Sequence, residues 1–436
     1  MKPTNNNKKL YVVIMLTVVL YMITCIVTYD TIDKFPALAL SEEANQINQE
    51  EKNIAASKPL NSKEVLDNII KLDRITHELS MLSTLDTPDI AARNAIIMDV
   101  ATGRSLYKKN AFEQVAMAST TKIMTFIIVA EYCDIKDITT VSKESAATGG
   151  STMHLKKGEE ISVEALLYGL LLNSGNDAAC ALAEHTAGSI TEFCKLMNEK
   201  ARLLGAYDTH FTSPHGLDNN EHYTTCYDLA LITKAAIQDP LFVKIISTKQ
   251  ITISGHSLTN TNPLLGEYEE VVGGKTGYTS KANRCLMLYV KNNNISAIII
   301  LLGSPSSAAR ISDGAYLTKY ATKCFKTFTI ECKGKILETI KVSKGTMSSV
   351  HNIITDNITL TLAKKDILKI EYITSHKFDM QQTAPVFSND IMSTIYISSS
   401  DDLLCVVNCK PSSNVPRKTY TDHLSDIIRA FPNVFT

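Results

Sequence analysis

The chain has 436 residues, of which 44% are apolar and 20% charged, with a formal net charge of -1. That length suits about two domains with full hydrophobic cores, and the composition excludes wholesale disorder. The near-neutral balance lacks the basic excess of a nucleic-acid binder and the acidity of a solvating tail.

At the N-terminus Lys2, Lys8 and Lys9 precede an uncharged apolar stretch from Leu10 to Tyr29. About 20 such residues can cross a bilayer as a helix, whereas a cleaved signal has a shorter apolar region. Length favours an uncleaved anchor, and Ala37-Leu38-Ala39 leaves a cleaved signal open as the alternative. In either case the basic flank places the rest of the chain outside the cytoplasm, against the cell membrane or secreted.

From Asp30 to Asp89 the residues are mostly polar, with apolar periodicity only around Val65 to Leu82, which reads as a spacer carrying one helix. Apolar runs at Asn94 to Met98 and Ser105 to Tyr107, joined by Asp99-Val100-Ala101-Thr102-Gly103, predict a hairpin. Helical patterns follow over Thr120–Tyr132, Val163–Ala187, Ile190–Leu204 and Tyr227–Gln238. Strand-like segments return at Ser247–Ile253, Glu269–Tyr278, Cys285–Lys291 and Ile295–Leu302, before a helix near Ala309–Phe328. Strands, a helical block and strands again predict an α+β domain with helices packed on an antiparallel sheet.

Short Thr-, Ile- and Val-rich runs from Thr329 to Val407 predict a separate small all-β domain. In the tail, Leu424, Ile427, Ile428 and Phe431 recur at helical spacing. Lacking a basic cluster, that helix reads better as packed on its own domain than as lying on a membrane surface. The expected partition is 1–29 anchor or signal, 30–89 spacer, 90–328 catalytic domain, 329–412 β domain and 413–436 tail. The ten cysteines form no CxxC pair, so no zinc or redox spacing appears. They read as mostly free, buried thiols, with Cys405–Cys409 the one isolated bridge left open.

Ser119-Thr120-Thr121-Lys122 opens the first helical pattern. A spacing of three puts Ser119 and Lys122 on one helix face, where a buried lysine near another cation can take the serine proton. Free N–H groups at a helix start also suit an oxyanion. Ser174-Gly175-Asn176 breaks the next pattern and sets a hydroxyl and an amide in a loop that can enter a cleft, or that simply caps the following helix. Lys275-Thr276-Gly277, in a β-rich run, offers a cation and a hydroxyl to a carboxylate, with Gly277 allowing close backbone approach. Each triplet is weak alone; their order and spacing make the set specific.

From about Ala92 to Phe328 the chain resembles the low-molecular-mass penicillin-binding D-alanyl-D-alanine carboxypeptidases. The likeness extends beyond the triplets to Ala118–Thr125, Ser174–Ala179, Pro214-His215-Gly216-Leu217, His222-Tyr223, Tyr227-Asp228-Leu229-Ala230 and Lys275–Thr279. It implies a serine DD-peptidase fold needing no cofactor, with peptidoglycan stem peptides as substrate and β-lactams as acylating agents. It further implies that Ser119 forms an acyl-enzyme with Lys122 as base and that Ser174 and Asn176 assist proton transfer. Lys275 and Thr276 would hold the terminal carboxylate, and the N–H groups of Ser119 and Tyr278 would form the oxyanion hole. Met117 stands where many relatives have proline, and Asn283 where many have glycine.

A class A β-lactamase normally carries aspartate in place of Gly175 and needs a poised glutamate. A DD-endopeptidase uses the same groups and stays close. A zinc peptidase would need more than His215 and His222, whose spacing fits no zinc signature and which read as loop histidines bonded to backbone. A catalytically idle wall-binding module would be expected to have lost one of these groups, and none is lost.

Overall fold

A computed structural model describes residues 62–377, 381–399 and 402–430. Leu10–Tyr29, Cys25, Ala37–Ala39 and Phe431 lie outside the described residues.

Two short helices come first, α1 (Ser62–Ile70) and α2 (Leu72–Ser80), followed by the hairpin β1 (Asn94–Asp99) and β2 (Ser105–Lys109). A 3₁₀ turn over Ala118–Thr121 leads into α3 (Lys122–Tyr132); next come β3 (Ile138–Thr140), α4 (Lys143–Ala146), β4 (Glu160–Ser162), α5 (Val163–Leu171), α6 (Asn176–Ala187) and α7 (Ile190–Leu203). The block closes with α8 (Cys226–Ala236) and α9 (Pro240–Ser247). The small hairpin β5 (Gln250–Ile253) and β6 (His256–Thr259) precedes β7 (Val271–Thr279), β8 (Asn283–Lys291), β9 (Ser296–Ser304) and α10 (Ser307–Cys324).

The main sheet has the order β2-β1-β9-β8-β7, every pair antiparallel, which is the expected α+β arrangement. Alternate side chains of a strand point to opposite faces. Ile96 and Met98 of β1 and Ile298, Ile300 and Leu302 of β9 accordingly pack on the helical block. Their neighbours Ala95, Ile97, Ile299 and Leu301 pack on the other side with Leu317 and Ala321 of α10. Both faces are covered, which is why these strands read as continuous apolar runs. Helix α3 is buried from Lys122 to Val129, so it runs through the core rather than along its surface. Strand β7 ends the sheet order and leaves one edge open beside the Ala118–Thr121 turn.

The helix expected over 309–328 stops at Cys324, and Phe325 begins β10 (Phe325–Ile330), which pairs with β13 (Ile358–Ala363). A six-stranded sheet, ordered β14-β16-β17-β12-β11-β15, makes up the rest of the β domain. Its strands are β11 (Ile336–Ser343), β12 (Ser349–Ile354), β14 (Ile370–His376), β15 (Gln381–Thr383), β16 (Ser393–Ser399) and β17 (Asp402–Pro411). Arg104, just before β2, reaches across, donating to the Thr361 carbonyl at 2.7 Å and to Asp366 at 3.1 Å. The last helix, α11 (Tyr420–Ala430), begins where expected, but Tyr420 and Leu424 are exposed. At these positions it does not pack on its own domain. Cys405 and Cys409 are both free thiols, as are all the cysteines among the described residues, so the bridge left open by the sequence is not formed.

The stretch expected as spacer contains two helices, and they are not solvated. Leu66, Ile70, Ile75 and Leu79 bury themselves among Ile354, Leu360, Ile395 and Ile397 of the β domain. Lys71, with φ 50°, makes the left-handed turn between the two helices. Lys364 Nζ donates to the Ser80 carbonyl at 3.1 Å and Lys326 pairs with Glu78 at 2.9 Å, tying the segment down at its C-terminal end. Truncating a fully buried leucine costs about 2–5 kcal/mol. Leu79→Ala is therefore expected to destabilise the protein by about 3 kcal/mol in urea titrations, whereas Met81→Ala at a 75% exposed position should change stability by less than about 0.5 kcal/mol.

Candidate functional site

Ser119 lies in the 3₁₀ turn, half-buried, where that turn packs beside the edge strand β7. The turn is entered through Ala118 at φ 48°, a left-handed conformation that costs a non-glycine residue energy. Two glycines clamp it. A Cβ on Gly216 would stand 2.0 Å from the Ala118 carbonyl oxygen, and one on Gly277 would stand 3.0 Å from Ser119 N. The missing side chain of Gly277 thus lets β7 itself approach the serine turn, a use that the sequence did not suggest. Met117 is fully buried, and its carbonyl accepts from Thr120 Oγ1 at 2.6 Å, so this turn is closed by side-chain bonding.

Lys122, one turn on, is fully buried. Its Nζ stands 2.9 Å from Ser119 Oγ and donates to Asn176 Oδ1 at 2.7 Å and the His215 carbonyl at 3.0 Å. Burial, and next the charge of Lys275, push its pKa well below the ordinary lysine value.

The break between α5 and α6 brings the second triplet inward. Ser174 adopts φ 61° and is buried, and Asn176 is the first residue of α6. Asn176 Nδ2 donates to the Gly149 carbonyl at 2.7 Å, which orients its Oδ1 toward Lys122. Asp177 accepts from the N–H groups of Met153, Leu155 and Ala178, pinning the 149–155 loop against the start of α6.

From the edge strand β7, Lys275 Nζ donates to Ser174 Oγ at 2.8 Å and to the Thr276 carbonyl at 2.8 Å. Thr276 Oγ1 is 2.6 Å from Thr261 Oγ1. Lys275 is buried, and desolvation together with the Arg310 guanidinium holds its pKa at about 7. Arg310, on α10, has a buried Nε without a hydrogen-bond partner. Tyr278 turns its side chain outward, 54% exposed, under the Arg284 guanidinium at 3.9 Å. Asn283, the first residue of β8, carries φ 55°, a conformation that asparagine tolerates better than most residues.

The fold thus joins Ser119, Lys122 and Asn176 in one hydrogen-bonded network and Ser174, Lys275 and Thr276 in a second beside it, with Gly277 against the serine turn. Thr261, Arg310, the Asp177 anchor and the backbone carbonyls of His215 and Gly149 are additions that the triplets did not reveal. The histidines of the 210–222 loop bond to backbone: Thr212 N–H donates to His222 Nδ1 at 3.1 Å and Leu217 N–H to His215 Nδ1 at 3.2 Å. Among the described residues no group of three or more metal-binding side chains converges.

Comparison with known proteins gives a consistent result. Residues 81–306 match the family model described as D-alanyl-D-alanine carboxypeptidase, and residues 325–417 match that of the penicillin-binding protein 5 C-terminal domain. D-alanyl-D-alanine carboxypeptidase DacF of Bacillus subtilis is 32% identical over 323 residues, covering 72% of this chain and 83% of the relative. DacC of Escherichia coli is 33% identical over 327 residues, covering 72% and 81%. Among solved structures, penicillin binding protein 5 from Haemophilus influenzae superposes with a TM-score of 0.70 at 27% identity, covering 77% of this chain and all of that one.

Lys275 has a measurable consequence for stability. With a folded pKa of about 7 against an ordinary 10.5, it leaves the unfolded chain binding more protons across that window, so its contribution to stability rises with pH from about 7 to 10.5. The slope is at most one proton, about 1.4 kcal/mol per pH unit. Lys275→Met is expected to flatten the stability profile in that range by urea titration at a series of pH values.

Proposed function

The chain belongs to the D-alanyl-D-alanine carboxypeptidase family, and from that premise we propose that it removes the terminal D-alanine of peptidoglycan stem peptides through an acyl-enzyme on Ser119. The observation that carries this reading is Lys122 Nζ, fully buried and 2.9 Å from Ser119 Oγ. A lysine whose neutral form is favoured by burial can receive the hydroxyl proton as Oγ attacks the carbonyl carbon of the penultimate D-alanine. In that state the contact reverses and the hydroxyl donates to Nζ.

The oxyanion is held by the N–H groups of Ser119 and Tyr278, and the terminal carboxylate by Lys275 and Thr276, with the Arg310 charge behind them. The leaving amine takes its proton through Ser174, which already accepts from Lys275 at 2.8 Å. Water then releases the shortened peptide and restores the serine hydroxyl. A β-lactam, whose carboxylate and strained amide imitate the substrate terminus, acylates the same serine. Asp177, the acid beside Asn176, has its carboxylate engaged by backbone N–H groups, which disfavours a β-lactamase-like use of it in deacylation.

A peptidoglycan substrate supports a site of action outside the cytoplasm. The lysines ahead of Leu10–Tyr29 support attachment to, or export across, the cell membrane, and hence a part in wall remodelling.

The test is reaction of the protein and of Ser119→Ala with a fluorescent penicillin, beside an assay of D-alanine freed from a pentapeptide ending in D-Ala-D-Ala. Covalent labelling and D-alanine release are both expected to require Ser119. Labelling without release would favour an endopeptidase acting on crosslinks, and labelling of Ser119→Ala would sink the nucleophile assignment.

A further inference from the structure

The peptide bond between Ala118 and Ser119 joins two groups with separate roles. Its N–H belongs to Ser119, and its C=O belongs to Ala118, and because the peptide is planar, whatever holds the oxygen also sets the direction of the N–H. That oxygen accepts from Thr121 Oγ1 at 2.8 Å. The same hydroxyl lies 2.8 Å from His222 Nε2, across a sequence separation of 101 residues.

The proton positions follow from the partners. His222 Nδ1 accepts from the Thr212 N–H at 3.1 Å, so in a neutral ring the proton sits on Nε2. Burial, then His215 and His210, hold the pKa of His222 down to about 4, and the ring is neutral at ordinary pH. Nε2–H therefore donates to Thr121 Oγ1, and the threonine hydroxyl has its single proton free for the Ala118 carbonyl. His222 and Thr121 are both buried, and Phe211 packs edge-on to the imidazole at 5.8 Å. The isolated bridge His210–Tyr223 fixes the segment that carries the ring. Gly216 closes on the same carbonyl and on the Thr121 hydroxyl.

We infer that Thr121 and His222 are positioning residues for the oxyanion site: their relay holds the strained Ala118–Ser119 peptide so that the Ser119 N–H faces the cleft. The inference rests on Ser119 as nucleophile. Neither residue touches the substrate. Their effect falls on the rate of acylation rather than on the initial affinity, because an oxyanion donor acts only once charge develops on the carbonyl oxygen.

The experiment measures the rate of labelling by a fluorescent penicillin as a function of its concentration, in full-length protein, together with the melting temperature of each variant. Deleting an oxyanion donor outright slows catalysis by about 10²–10³, and loosening one is expected to cost on the order of tenfold. Thr121→Val, which keeps the shape and removes the hydroxyl, should lower the limiting rate by about that factor with little change in half-saturation, and Thr121→Ser should restore it to within about twofold. His222 supplies an independent pair: Phe removes both ring hydrogen bonds and should reproduce the valine defect, while Gln, which keeps an N–H near Nε2, should retain most of the rate. Wild-type limiting rates in Thr121→Val or His222→Phe, with Ser119→Ala unlabelled, would overturn the inference and leave the nucleophile standing. Equal losses in Thr121→Val and Thr121→Ser, or a change confined to half-saturation, would overturn it too. Labelling of Ser119→Ala would remove the nucleophile and the inference together.

Discussion

Taking the Lys122 ammonium out of water costs several kcal/mol even after the protein relaxes around it. The hydrogen-bond partners that offset this are all neutral oxygens drawn from separate parts of the chain: a hydroxyl one turn back, the amide of Asn176 and the carbonyl of His215. Charge-assisted bonds of this kind contribute about 1.5–3 kcal/mol each, enough to hold the group in place without a carboxylate that would keep it permanently charged. Much of the surrounding architecture serves this arrangement. Helix α3 must be buried to bury the lysine, the α5–α6 break must exist to deliver Asn176, and the 210–222 loop must fold back to present a carbonyl.

A second cation sharpens the balance. Beyond the effect of burial, Lys275 lowers the pKa of Lys122 and Arg310 that of Lys275, so three basic side chains form a row in which each disfavours its neighbour's charge. Such a row is unfavourable in the resting protein and becomes favourable when an anion arrives. The same field therefore biases Lys122 toward its neutral form.

The local part of this site was legible in the sequence, because Ser119 and Lys122 are three residues apart and a helix start turns that spacing into a contact. The Ser174–Asn176 break showed itself as an interruption of helical pattern, and Lys275-Thr276-Gly277 as a cation and a hydroxyl within a β-rich run. Backbone acceptors such as the His215 and Gly149 carbonyls left no trace, since any residue carries a carbonyl. Thr121 was quoted as part of a motif, yet its partner His222 is set by a loop whose path no periodicity describes. Helix α9 has a readable start in Asp239-Pro240, where Asp239 caps Leu241 N and proline takes the first turn, yet its residues stay unassigned between the Tyr227–Gln238 helix and the Ser247–Ile253 strand. The α10–β10 boundary failed because Phe325 continues the apolar spacing of the helix while already lying in a strand. The apolar periodicity at 65–82 signals a helix, but not that Lys71 divides it in two or that Leu66, Ile70, Ile75 and Leu79 bury against strands nearly three hundred residues later.

That segment makes the β domain discontinuous, with its helices supplied before the catalytic domain and its strands after it. During synthesis, Leu66 and Leu79 emerge more than two hundred residues ahead of the strands that cover them. The catalytic domain, whose sheet is assembled from residues 94–304, can complete its core first, leaving an apolar helix pair waiting for a late partner. Contacts of such sequence separation form slowly, and their exposed surfaces are where association with other chains begins. The closing of this last core is the event that ends the chain's vulnerability as a nascent polypeptide.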